Sequence, residues 1–329
     1  MKVTEEPLTT VIDAGGRYGL HPTWKRFTGK LSYHLFEPDP DESARLARKY
    51  AARGDSIQVH PVALGENRNP VRLNILQHRG QNSVLKPRKE SFWFAEARPD
   101  DGKVVAVHEA PCETLDHLRA EKGINPDFLK LDTEGSELPI LRGAAGCLRD
   151  TVIGLRSEAH FDAVYEGLPL FPELHRHLFE QGFMLLNLDY TGTGVAWSEF
   201  TMPDKFGVLM GCDSVWIKRP DILFGDGVAP DVAAVRSMKL AAFCFANNAT
   251  DVAVRILIDG TRKRGMRLAD YADTALGRYL DVTVQMLFNR LRALPSIKAS
   301  HLDGTYRELF AREPKLMHHF FESDEINPG

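Results

Sequence analysis

The stretch FLKLDTEGSELPILRGA (128–144) holds a lysine and two carboxylates, Lys130, Asp132 and Glu134, within five residues at the end of an apolar run. Gly135 allows a turn there, and Ser136 is placed to cap a helix that begins at Glu137. A strand's side-chain period of two puts Lys130 and Asp132 on one face. In a buried parallel strand, charges on that face need partners or a function. One reading is a lysine–carboxylate pair that braces the turn. The other gives Asp132 or Glu134 the task of meeting a hydroxyl group and taking its proton. A second stretch, LRSEAH (155–160), carries Glu158 and His160 to the end of another strand. An imidazole of ordinary pKa, about 6.5, is a serviceable base at neutral pH. Asp132 and Glu158 together would alternatively hold a divalent ion such as Mg²⁺. The residues leave bare base and metal both open.

The first of the strands needed to position such groups is followed at once by glycines, in TTVIDAGGRYG (9–19). Glycine-rich turns of this kind let the backbone approach a nucleotide-like cofactor. A nicotinamide-type G-x-G-x-x-G is nearly met at positions 14, 16 and 19, which read Ala, Gly, Gly. The acid-x-Gly-x-x-x-Gly turn of S-adenosylmethionine (SAM) methyltransferases is fully met by Asp13, Gly15 and Gly19. A carboxylate at Asp13 would repel a pyrophosphate and attract an ammonium and a sulfonium, which favours SAM. Glu37, ending the second strand, suits the two ribose hydroxyls of either cofactor. HPVALGE (60–66) then offers Ala63 and its neighbours to an adenine. In GQNSVL (80–85), Asn82 and Ser83 read either as contacts to cofactor or acceptor or as a plain turn.

These motifs sit in an alternation of short strand-like and helical segments from 9 to 218, the pattern of a parallel sheet flanked by helices. Expected strands are Thr10–Asp13, Ser32–Glu37, Ile57–Val62, Phe128–Asp132, Val152–Ser157, Phe183–Asn187 and Ser214–Lys218. Expected helices are Asp41–Ala52, Thr114–Lys122, Glu137–Arg142 and Leu170–Gln181. Residues 71–108 break the alternation and read as a β insertion around a charged, aromatic loop. Its Phe92, Trp93 and Phe94 read as insertion core, or as a platform for a sugar ring. After a Pro/Gly-rich linker at 219–231 the chain turns helical, with apolar residues at 272, 275, 279, 282, 286 and 287 near the 3.6-residue period.

Five segments together resemble the FkbM-type SAM-dependent methyltransferases: VIDAGGRYG, FEPDP, VALGE, ETLDHL with DFLKLDTEGSELPILRGA, and LRSEAHF leading to LFEQGF. Lys130, Asp132, Glu134, Gly135 and Glu137 form the most specific of them. Arg17 stands where the family more often has a small polar Asn. The resemblance spans about residues 9–218 and implies a Rossmann-like class I methyltransferase α/β sheet with helices on both faces. A β insertion would follow strand three, and a helical C-terminal appendage would complete the chain. It also implies a SAM-dependent O-methyltransferase acting on a hydroxyl of a saccharide or natural product and releasing S-adenosylhomocysteine. The cofactor contacts expected are Asp13, Ala14, Gly15, Tyr18, Gly19, Glu37, Pro38, Ala63 and Ser83. The catalytic candidates are Asp132, Glu134, Glu158 and His160, with Asp132 and Glu158 the ligands of any metal. A nicotinamide-dependent oxidoreductase and a non-catalytic assembly module of methyltransferase fold are the alternatives.

Composition narrows the rest. The 329 residues carry a net charge of −4, which gives nucleic acid no electrostatic footing. Four scattered cysteines lack metal or disulfide spacing, as expected of reduced thiols in a cytoplasmic protein. The apolar run LAAFCFA (240–246) falls far short of the roughly 20 residues of a membrane span. The expected division is a methyltransferase domain over 1–218 and a helical extension over 219–329, serving as lid, substrate cover or surface for homodimerisation.

Overall fold

The computed structural model describes residues 3–25, 29–189, 194–195, 208–225 and 227–292. These fall into two compact units. One comprises Leu8–Lys25 with Leu31–Arg219; the other gathers residues 3–7, 29–30 and the described residues from Pro220 onward.

The larger unit is built on a seven-stranded sheet. Its strands are β1 (Leu8–Ala14), β2 (Lys30–Phe36), β3 (Ile57–His60), β4 (Phe128–Leu131), β5 (Gly154–His160), β6 (Phe183–Asp189) and β7 (Gly211–Lys218), in the order β6-β7-β5-β4-β1-β2-β3. All seven expected strands are present, because each is a run of β-branched and aromatic residues bounded by turn formers. The parallel register sets Asp13 of β1 opposite Lys130 of β4, and Lys130 opposite Arg156 of β5. The sheet is mixed rather than wholly parallel: β7 runs antiparallel to both β5 and β6. A parallel neighbour to β6 would need a crossover helix, and among the described residues none lies between β6 and β7. The arrangement is Rossmann-like, with the chain reversing direction across the sheet at β1.

Helices α1 (Pro40–Tyr50), α2 (Leu115–Lys122), α3 (Glu137–Arg142), α4 (Ala145–Asp150) and α5 (Phe171–Glu180) accompany the sheet. Asp39 caps α1 by accepting from the Asp41 and Glu42 N–H groups, with Pro40 in the first turn and Arg48 and Lys49 in the last. Leu118, Leu141, Leu148 and Leu178 of α2 to α5 pack with Ile12, Leu129, Leu155 and Trp216 of the sheet in one buried cluster. Trp216 donates to the Ser214 hydroxyl at 2.9 Å, which donates to the Ser157 carbonyl at 2.8 Å, so the polar atoms inside this core are satisfied. The insertion pairs Val71–Leu76 antiparallel with Val104–Ala110. Phe94 lies in a smaller core with Leu76, Tyr165 and Met210, and Phe92 and Trp93 pack against it.

The second unit contains α6 (Pro230–Ala246), α7 (Thr250–Arg264) and α8 (Ala275–Arg292). Residues 3–7 belong to it. The Val3 N–H donates to the Asp270 carbonyl at 2.7 Å, and the Glu6 carboxylate accepts from the N–H groups of Ala275 and Leu276. A helix leaves its first N–H groups without intrahelical partners, and here a carboxylate from far away in sequence supplies them. The apolar stripe read from the sequence on α8 is not its buried face. Leu276, Leu280 and Val284 are buried, whereas Val282 and Met286 are exposed. Two apolar stripes run along α8, and periodicity alone does not choose between them. The expected extension continues beyond residue 292, outside the described residues. Among the described residues no helix is long and apolar enough to cross a membrane, and Cys112, Cys147, Cys212 and Cys244 are buried free thiols.

Candidate functional site

A cleft of about 550 Å³ opens at the carboxyl ends of β1, β2 and β4, where an open α/β sheet binds its ligands. Gly15 forms its floor, Glu37 and Pro38 one side, Ala63 and Leu64 an apolar patch, and Asp132, Thr133 and Glu134 the other side. Arg17, Leu73, Arg79, Gly80, Asn82, Val84 and Ser136 complete the lining. Of the site candidates read from the sequence, the structure therefore brings Gly15, Glu37, Pro38, Ala63, Asn82, Asp132 and Glu134 around one space.

The others lie elsewhere, each for a visible reason. Asp13 is fully buried and does not reach the cleft. Its carboxylate accepts from the Tyr33 hydroxyl and pairs with the Lys130 ammonium at 3.2 Å. Burial raises its pKa, against the opposing charge of Lys130. Lys130 also pairs with Asp132 at 3.2 Å and donates to the Gly15 carbonyl at 3.3 Å. Burial pulls the Lys130 pKa down, but the Asp13 and Asp132 carboxylates outweigh it and hold the charge. The lysine thus ties β1, its glycine turn and the end of β4 together. Ala14 is buried within β1. Tyr18 is 74% exposed, with its hydroxyl against Gly80. Ser83 is buried, donating to the Glu134 carbonyl at 2.6 Å and accepting from the Leu85 N–H at 3.0 Å, so it shapes the turn beneath the cleft.

Gly15 and Gly19 of the first turn are demanded by space. Gly15 has φ +76°, and a Cβ there would stand 1.7 Å from the Asp132 carbonyl oxygen. Gly19 has φ +80°, and a Cβ there would stand 2.2 Å from the Tyr50 hydroxyl, which accepts from the Leu20 N–H. Gly19 therefore docks the turn onto α1 and does not touch the cleft. Gly15→Ala is expected to cost about 1–3 kcal/mol from the left-handed backbone alone. A melting temperature equal to wild type would show that the turn relaxes to admit a side chain.

Glu37 Oε1 accepts from the Asp39 N–H at 2.9 Å. Burial lifts its pKa to about 7, the Asp39 N–H and Arg17 working against the rise and Asp39 and Glu42 adding to it. Arg17 is committed to Asp39 at 2.6 Å and approaches Glu42 at 3.7 Å. Arg79 reaches Asp39 at 4.0 Å, and Asn82 donates to Asp39 at 3.3 Å and accepts from the Leu76 N–H at 2.9 Å. Asp39 is thus the post on which the lip of the cleft hangs. Burial acts to raise its pKa, but the hydrogen bond and charge of Arg17 prevail and lower it.

The turn after β4 is stitched by Glu137 rather than capped by Ser136. The Glu137 carboxylate accepts from the Thr133 N–H at 2.7 Å, the Thr133 hydroxyl at 2.8 Å and the Gly135 N–H at 3.0 Å. Ser136 makes no side-chain cap. This stitching holds Glu134 in a left-handed conformation, φ 57°, which a non-glycine residue adopts rarely and mostly where function requires it. From there Glu134 faces the cleft while its Oε2 accepts from the Tyr165 hydroxyl at 2.8 Å. Glu158 and His160, at the end of β5, line a smaller pocket of about 230 Å³ with Glu137, Leu170 and Phe171. The ligand atoms of Glu134, Glu158 and His160 lie within 4.8 Å of one another. Burial raises the pKa of Glu134 well above the usual carboxylate range and that of Glu158 to about 7. Burial would lower His160, but the adjacent Glu158 carboxylate prevails and lifts it to about 10. Asp132, at 38% side-chain exposure, is more open than Glu158 or His160.

Arg79, Leu73 and Val84 of the lining carried no signal in the sequence, since they are ordinary residues delivered by the insertion. Asn82 was visible, as part of a turn.

The family model for the methyltransferase FkbM domain matches residues 13–185. No curated protein matches the chain. Among solved structures, the chain is similar to the methyltransferase FkbM of Methylobacillus flagellatus KT, at 19% identity and a TM-score of 0.37, over 63% of this chain and 43% of that one. It thus spans less than half the length of that protein. It is also similar to the magnesium protoporphyrin IX methyltransferase of Synechocystis PCC 6803 with bound SAM. There the identity is 10% and the TM-score 0.33, over 65% of this chain and 71% of that one.

Proposed function

Because the chain belongs to the methyltransferase FkbM family, we propose that it is a SAM-dependent O-methyltransferase acting on a hydroxyl of a saccharide or natural product. The observation that carries the reading is the cleft itself. A buried acceptor, Glu37, stands on one side of a glycine floor, and an open carboxylate, Asp132, stands on the other.

The residues present fit the cofactor. Its ribose hydroxyls would donate to Glu37, its adenine would lie on Pro38, Ala63 and Leu64, and its amino-acid end would pass Gly15 toward Asp132. When bound, SAM supplies a methyl group on a positive sulfur, ready for displacement. The chain's own work is to align an acceptor oxygen with that methyl and to take the proton the oxygen gives up. Asp132 is assigned the proton, because it lines the cleft and is the accessible carboxylate of the set. His160, 6% exposed, does not line that cleft. With SAM held there, the proton of the acceptor hydroxyl would pass to Asp132, and what the cofactor would supply is the methyl group that takes its place.

Asp13 does not discriminate SAM from a dinucleotide, since Lys130 neutralises it. What disfavours a pyrophosphate is the Asp132 carboxylate in the lining beside Gly15. The test is calorimetric titration with S-adenosylhomocysteine and, in parallel, NADH. Micromolar binding of the first and none of the second supports the reading, and the reverse replaces it with an oxidoreductase.

Glu37 adds a pH signature. Its ionised form is the better acceptor, and its pKa in the free protein is about 7. Affinity for S-adenosylhomocysteine should therefore rise with pH through 7 and level off above it. At pH 6 binding is expected to be about tenfold weaker than at pH 8, corresponding to one pH unit below the pKa. Glu37→Gln should bind more weakly and lose that slope, so an unchanged slope would show that another group titrates.

A further inference from the structure

We propose that Glu134, Glu158 and His160 form a binding site for one divalent cation of the Mg²⁺ or Mn²⁺ type, beside the acceptor end of the cleft. Its purpose, holding the acceptor oxygen, rests on the methyltransferase reading; its existence does not.

Three donors from two strand ends converge there, one ligand atom of each lying within 4.8 Å of the others. His160 is 6% exposed, and its Nε2 forms no hydrogen bond. Glu158 Oε2 forms none either, and the two atoms face each other at 3.3 Å. The two buried atoms have each other as an ion-pair partner and no geometric hydrogen bond besides, so a cation between them would replace the proton they share. Adjacent ligands in an octahedral shell with bonds of 2.0–2.2 Å stand about 3 Å apart. No Lys or Arg among the described residues forms an ion pair with Glu134 or Glu158, because Lys130 is committed to Asp13 and Asp132.

The surroundings are those of a metal ligand set. Tyr165 donates to Glu134 Oε2 at 2.8 Å, orienting the carboxylate from behind. Ser83 holds the Glu134 carbonyl at 2.6 Å, fixing the left-handed residue that points the side chain inward. Two carboxylates and one imidazole are hard to borderline donors, which suit Mg²⁺ and Mn²⁺ better than thiophilic ions. Glu134 also lines the cleft, so a cation held there would adjoin Asp132, which lines it too. The chemistry matches one possibility left open by the sequence, but the ligands differ. Asp132, paired with Lys130, stays outside the set.

The test uses the full chain stripped with EDTA and titrated with MnCl₂, reading the loss of the free Mn²⁺ signal by electron paramagnetic resonance. One ion per chain is expected, bound with a micromolar dissociation constant. Glu158→Gln and His160→Ala should each weaken binding at least tenfold. Tyr165→Phe, which keeps the ring in its core, should weaken it about 10–100-fold. Asp132→Asn should leave it within threefold. Melting temperatures of the variants identify any that fails to fold, and Tyr165→Phe then carries the test. No saturable binding at about 1 mM Mn²⁺, or wild-type affinity in Tyr165→Phe together with a folded ligand variant, overturns the site. So does loss of binding in Asp132→Asn. Titration with S-adenosylhomocysteine in EDTA separates the two readings. Cofactor binding without Mn²⁺ binding removes the cation alone, and Mn²⁺ binding without cofactor binding removes the methyltransferase reading alone.

Discussion

Asp132→Asn is expected to bind S-adenosylhomocysteine within about threefold of wild type while turnover falls about 10²- to 10⁴-fold, the usual share of a general base. The substitution is isosteric, and the fold should tolerate it because Lys130 keeps Asp13 as a partner at 3.2 Å. An amide cannot take the acceptor's proton at neutral pH. Turnover is measured as S-adenosylhomocysteine released with the first hydroxylated acceptor that a screen yields. An equal loss in cofactor affinity and in turnover would make Asp132 a cofactor residue. Unchanged turnover would pass the proton to another group.

The largest effect on stability is expected from Lys130→Met. It leaves Asp13, fully buried, without its counter-charge, a situation that typically costs 3–5 kcal/mol. For a unit of this size that corresponds to about 6–20 °C in melting temperature. The deficit should depend on pH with a definite sign. Burial already raises the Asp13 pKa, and removing the lysine raises it further. A carboxyl group whose folded-state pKa lies above its unfolded value loses stability as pH rises past the unfolded value, about 3.9. Lys130→Met should therefore be less impaired at pH 5 than at pH 8. Adding Asp13→Asn should recover part of the loss and flatten the pH dependence. A pH-independent deficit would mean that the lysine acts through packing, not charge.

The strands were legible because each is a short run of β-branched and aromatic residues between turn formers, and such runs need no knowledge of their partners. The placement of Glu37 and Asp132 at the cleft was legible for a related reason: strand ends in an alternating α/β sequence point to one rim. What Asp13 does was not legible. Its partner lies on β4, and nothing local to VIDAGGRYG gives the register that sets the two residues side by side. The reading of Asp13 as a cofactor contact followed from treating its charge as free. Tyr18 and Gly19 were assigned to the cofactor from their place in a motif. The structure instead gives Gly19 a steric duty against Tyr50 and leaves Tyr18 facing outward. The convergence of Glu134 with Glu158 and His160 depends on a left-handed residue in a turn, which sequence spacing does not reveal. In the helical unit, Leu276, Leu280 and Val284 compete with a second apolar stripe on α8. The ties between residues 3–7 and the segment from Asp270 to Leu276 span nearly the whole chain.

The pairing of β1 with β4 also sets a timetable. Thr10 and Asp127, hydrogen-bonded at that junction, stand 117 residues apart. At the ordinary pace of 5–20 residues per second, a ribosome needs roughly 6–23 s to deliver the second strand after the first. During that interval Val11 and Ile12 have no neighbour on one side, and Asp13 has no ammonium to meet it. The nascent chain therefore waits with an open, apolar sheet edge in the middle of its future sheet.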